Sequence, residues 1–105
     1  MNERIHRRNL NDTTAKKFYL RDGNSYLDLT GYTVTMKLTR KGVVKMNRVI
    51  TVLNQGTDKG GVEWTPLVAE VNEIGRFRLE FLAENGSNST VFPRGNHQRF
   101  FIWVE

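Results

Sequence analysis

At 105 residues the chain has room for one domain with its own core and not for two. Its 38% hydrophobic and 26% charged content is that of a globular, rather polar protein with a thin core. The formal charge of +5 suits contact with nucleic acid, an acidic glycan or an acidic protein, and equally suits solubility alone. Cysteine is absent, which excludes a disulfide framework and a thiolate metal site. The opening stretch MNERIHRRNLNDTTAKK holds no apolar run of the kind a secretory signal needs, and no segment is long and apolar enough for a membrane span. A soluble protein made in the cytosol is expected, so the sequons at Asn11 and Asn88 read as chance.

Residues 1–14 offer only Ile5 and Leu10 as large apolar groups among Arg, Asn and Thr, so this stretch is expected to be a basic arm on a body spanning 15–105. From Ala15 onward the hydrophobic period is two. Phe18 and Leu20 form the inner side of a first strand, the 22–25 cluster DGNS makes a hairpin turn, and residues 26–29 return before Thr30-Gly31 breaks the run. Tyr32, Val34, Met36 and Leu38 then alternate with Thr33, Thr35, Lys37 and Thr39, the clearest strand in the chain. Lys41-Gly42 turns the chain into a strand over 43–53. Val44 and Met46 alternate there, and the phase is expected to slip at a bulge near Asn47 because Val49, Ile50 and Val52 do not continue it past Arg48.

A glycine-bearing loop over 54–61 leads to a short strand with Val62 and Trp64, stopped by Pro66. The spacing of Leu67, Val68, Val71 and Ile74 predicts at most one helical turn. Phe77, Leu79 and Phe81 alternate with Arg76, Arg78 and Glu80 in the next strand, residues 90–92 pair briefly, and 97–104 form the last strand. On that strand Phe101 and Trp103 oppose Phe100, Ile102 and Val104, so it is central or lies against another chain. Seven or eight short strands with frequent turns and almost no helix predict an all-β, antiparallel, two-sheet immunoglobulin-like sandwich, with a small OB- or SH3-like barrel as the alternative.

Charge is unevenly spread. Lys37, Arg40, Lys41, Lys45 and Arg48 follow one another without an acid, whereas 63–84 carries five glutamates against Arg76 and Arg78. Such complementary districts serve assembly, or are simply the solvated faces of strands. Catalytic signals are missing. His6 and His97 are far apart with no metal-ligand spacing, and no phosphate loop or nucleophile elbow occurs. Glu63, Glu80 and Glu84 would need to converge across paired strands to hydrolyse a glycoside, and read better as a wet sheet face. No enzyme activity, cofactor or metal is expected. Basic residues interleaved with aromatics would permit single-strand nucleic-acid binding, and an exposed Trp64 or Trp103 would permit glycan binding.

The segments FYLRDGNSYLDLTGYTVTMKLTRKG, GVEWTP, EIGRFRLEF and FFIWVE together resemble the N-terminal domains of phage baseplate upper proteins and related tail-adaptor domains. The matching positions are 28–31, 33–38, 61–66 and 75–81, and the resemblance extends over about residues 15–105. It implies a non-enzymatic structural module of a virion, synthesised in the host cytoplasm, that docks on neighbouring tail or baseplate ring proteins and on copies of itself. The residues expected at such interfaces are Arg4, Arg7, Arg8, Lys37, Arg40, Lys41, Lys45, Arg48, Phe101 and Trp103.

Overall fold

The computed structural model describes residues 2–22, 25–93 and 98–105, with side chains from Ile5 onward except at 22, 98 and 99. Ten strands follow one another: β1 Asn2–Arg8, β2 Lys16–Tyr19, β3 Arg21–Asp22, β4 Ser25–Tyr26, β5 Thr33–Arg40, β6 Val43–Val52, β7 Gly61–Trp64, β8 Gly75–Asn85, β9 Asn88–Phe92 and β10 Gln98–Val104. One 3-10 turn, Val68–Glu70, stands between β7 and β8. The protein is all-β with almost no helix, and no described helix is long and apolar enough to cross a membrane.

The expected division into two antiparallel sheets is replaced by one continuous hydrogen-bonded path, β1-β10-β8-β5-β6-β7-β2, with β9 on β8 and β3-β4 as a separate hairpin. This sheet is mixed, because β1 pairs parallel to β10 with Ile5 opposite Phe101 and Arg8 opposite Val104. Strand β10 lies between β1 and β8, which accounts for its apolar residues on both faces. Strand β8 is long enough to serve two partners in succession, β10 over 75–79 and β9 over 81–85. The sheet curls into a half-barrel until its far ends meet: the ring of Phe18 on β2 lies 5.2 Å from that of Phe81 on β8 and 5.0 Å from that of His6 on β1.

Alternation fixes what the curl encloses. Val34, Met36 and Leu38 of β5, and Phe77, Leu79, Phe81 and Ala83 of β8, are buried together with Trp64, Phe18 and Ile102. Each full burial of such a side chain stabilises the fold by roughly 1.5–3 kcal/mol before entropy is charged against it. Tyr32, expected in this core, is half-buried at its margin. Arg40 pairs with Val43 across a two-residue turn in which Lys41 and Gly42 have φ of 52° and 79°, the left-handed pair that matches hairpin twist.

The phase of β6 differs from expectation. The register shifts between Leu38 and Thr39, which leaves Lys45 as the extra residue on β6, two positions before Asn47. From Met46 onward the alternation is unbroken, with Met46 and Ile50 buried and Arg48 between them on the inner side. An arginine in an apolar phase looks like a slip in sequence. Here it is held by a buried partner, Glu70.

Candidate interaction surface

Topology folds the two charge districts onto each other. Segment 67–74 crosses the end of the sheet beside the β5-β6 turn, and its carboxylates meet the basic run. Glu70 is 6% exposed and accepts from Arg48 Nε at 2.6 Å and Nη2 at 2.8 Å, from Trp64 Nε1 at 3.1 Å and from the Leu67 amide at 2.9 Å. Burial alone would raise the Glu70 carboxyl. The donors from Arg48, Leu67 and Trp64 and the charge of Arg48 outweigh it, so the carboxyl titrates below its ordinary value. The same contact raises Arg48. Arg40 meets Glu73 at 2.6 Å, and Lys45 reaches Asn72 at 2.8 Å and Glu73 at 3.5 Å. Gly75, with φ of 149°, completes the corner: a Cβ there would lie 2.8 Å from the Arg40 guanidinium.

Of the five expected contact residues in this run, Arg40, Lys45 and Arg48 are therefore engaged within the chain. Lys41 is exposed at the turn, and Lys37 is half-buried in a shallow groove with Asn47, Glu80 and Val91. The N-terminal candidates also separate. Arg7 is exposed on the outer face, 3.5 Å from Glu105. Arg8 turns inward, its side chain 8% exposed, with the guanidinium 5.5 Å from the Trp64 ring and donating to the Asp12 carbonyl at 3.0 Å. The side chain of Arg4, and all of His97, lie outside the described residues.

The outer face of β1-β10-β8 does bring predicted residues together. Ile5, Phe101 and Arg78 stand in one cross-strand row, and Arg7, Trp103 and Arg76 in the next. The Arg76 guanidinium lies 4.5 Å from the centre of the Phe101 ring, which is itself only 8% exposed. This face is thus basic, with one aromatic ring, that of Phe101, beneath the Arg76 cation.

The surface that sequence reading missed is apolar. Leu10, Val43, Val44, Leu67, Val68 and Ile74 are all exposed, Val43 by 69% and Ile74 by 59%. They gather at one end of the sheet. Lys45 and Arg40 tie the β5-β6 turn to residues 72 and 73, the Leu10 amide donates to the Glu105 carbonyl at 2.9 Å, and that of Asn11 to the Val71 carbonyl at 2.8 Å. A hollow of about 370 Å³ between Arg40, Val43, Val44, Glu73 and Phe77 opens on this end. The signal in sequence was the apolar series 67–74, whose polar partners lie far away along the chain.

Little here supports chemistry. Among the described residues no three His, Asp or Glu side chains gather as metal ligands. Glu63 on β7 and Glu80 on β8 are separated by β5 and β6, so they do not converge across paired strands. Trp64 is fully buried, which removes it as a sugar platform.

With this geometry in place, comparison with solved structures gives a phage domain. The chain is similar in fold to the N-terminal domain of phage TP901-1 ORF48, with a TM-score of 0.67 and 12% identity, covering 100% of this chain and 99% of that one. The resemblance drawn from the sequence to phage baseplate upper-protein N-terminal domains is met by this likeness of fold over the whole chain. By sequence, no protein family and no curated protein matches.

Proposed function

We propose that the chain is a non-enzymatic structural module of a phage virion, a tail or baseplate adaptor or ring subunit that docks on neighbouring virion proteins and on copies of itself. The observation that carries this reading is the likeness of the entire chain, end to end, to a phage protein domain. A fold alone does not specify a role. The exposed apolar end adds physical support, because six exposed apolar side chains at one end of the sheet offer a surface that a partner can cover. On this reading residues 1–14 are an arm laid along β10, the body is 15–105, and the apolar end together with the Arg7, Phe101 and Trp103 face forms the contact surface. The protein would then be made in the host cytoplasm and reside in the virion.

The test is assembly. The double variant V43E/I74E places charge in the apolar end at two exposed positions and leaves the fold unchanged by circular dichroism. Particles produced with it in place of the unaltered chain should lack the protein when purified and weighed by quantitative mass spectrometry. Incorporation at the normal copy number would sink the proposal for this surface.

A further inference from the structure

The curled sheet does not close on itself. Strand β1 is paired only on its β10 side and β2 only on its β7 side, so among the described residues two strand edges face each other across a seam. The ends are close, with the His6 and Phe18 rings in contact at 5.0 Å, yet no β1-β2 pairing forms. A cavity of about 160 Å³ lies in the seam, with Phe18, Phe81 and Phe100 deep in it and Lys17, Arg21 and Tyr26 toward its mouth.

We infer that this seam is a docking groove for an extended, acidic segment of another protein, which adds a strand to the open edges and seats one large apolar side chain on the three phenylalanines. Three observations choose that occupant. The cavity is well below the roughly 300–1,000 Å³ of a small-molecule site but suits a single anchoring side chain. Strand edges that no described strand covers offer main-chain donors and acceptors in series, which another backbone can satisfy. Among the described residues the lining includes Lys17 and Arg21 and no carboxylate, and Lys16 adds a further cation 6.0 Å from the centre of the Phe18 ring. The Asp58 carboxylate nearby accepts from the Tyr19 hydroxyl at 3.0 Å, a contact that also raises the phenol above its ordinary range. A second copy of this chain is the poorer fit, because its open edge strand β2 carries Lys16 and Lys17 and its β1 the exposed Arg7, which would bring cations to cations. The groove does not depend on the virion reading and applies to any partner bearing such a segment.

The probe is a fluorescein-labelled peptide of alternating Glu and Val with a central Phe, titrated against the full chain by anisotropy. Three comparison probes go with it: the same peptide with Lys for Glu, one with Pro for each Val, and a short labelled oligothymidylate. Saturable binding of the acidic probe, weakened about tenfold or more in both altered peptides and in K17E/R21E, is expected. Amide shifts should fall in residues 2–8 and 16–19. Lys17 and Arg21 are exposed, so the double variant keeps its melting temperature and the binding result stands on its own. Any of four results overturns the inference: no saturable binding, binding indifferent to Pro, oligothymidylate binding as tightly at the same amides, or shifts produced by self-association in the absence of probe.

Discussion

The basic side chains at the β5-β6 hairpin and those at the β1-β2 seam stand in opposite electrostatic conditions. At the hairpin Arg40, Lys45 and Arg48 each have a carboxylate, at 2.6, 3.5 and 2.6 Å. At the seam Lys16 and Arg21 meet rings instead, 6.0 Å from the centre of Phe18 and 4.5 Å from that of Tyr26. The longer run of charge in the sequence is the one that folding consumes. The shorter one is left facing outward. The length of a charge run therefore does not measure availability; the topology that carries segment 67–74 back over the hairpin does.

The difference can be broken most directly at Glu70. In E70A, Arg48 loses its partner, and the buried Trp64 indole and the Leu67 amide lose an acceptor. About 3 kcal/mol of stability should disappear, read as a fall in the urea midpoint. The pH dependence has a defined sign. Glu70 titrates below its ordinary value of 4.5 in the folded chain, so its contribution is fully present above the unfolded value and is lost as pH falls through the folded one. Melting temperature should drop with acid in that window for the unaltered protein and less steeply for E70Q. Equal slopes would mean that Glu70 is not the group responsible.

A smaller effect is expected at Arg8, which belongs to the basic N-terminal stretch yet is spent inside. R8A removes the contact with Trp64 and the hydrogen bond to the Asp12 carbonyl, and should cost about 1–2 kcal/mol. Because Arg8 ties β1 to residues 9–12, hydrogen exchange should quicken first in β1 amides. Uniform quickening across the sheet would show that β1 does not open separately.

Much of the fold was legible from period two. Val34, Met36 and Leu38, and Phe77, Leu79 and Phe81, are buried where alternation puts them, and the Lys41-Gly42 turn is where glycine chemistry puts it. What was illegible shares one cause. Strand β1 is polar along its length, and its one large apolar residue, Ile5, faces outward, so nothing local marks it as a strand; its partner β10 lies at the other end of the chain. Arg48 breaks the apolar phase locally and is rescued by an acid 22 residues away. Parallel pairing of first with last strand, and paths that join would-be sheets through β6, are likewise contacts at long sequence separation. Of the expected interface residues, Arg7, Phe101 and Trp103 share a face because strand register is local once pairing is given. Arg40, Lys45 and Arg48 have intrachain carboxylate partners that the sequence did not show, because those partners are not local.

The smallest effect on stability is expected where the seam itself is altered. Lys17 and Arg21 are exposed and neither forms an ion pair with a described carboxylate; Glu63 stands opposite Lys17 on β7, and Arg21 Nη2 donates to the Tyr26 hydroxyl at 2.6 Å on the surface. Reversing both charges in K17E/R21E should change stability by no more than about 0.5 kcal/mol, against several times that for the single change at Glu70. The contrast rests on partner geometry, so adding salt sharpens it: exposed charges are screened within about 10 Å at 0.1 M, whereas the enclosed Arg48 to Glu70 pair is screened far less. Denaturation of K17E/R21E beside E70A at low and moderate salt would measure it. A loss above about 1 kcal/mol in the double variant would mean that the seam cations hold the curl of the sheet together, and that the two clusters differ in partner but not in structural role.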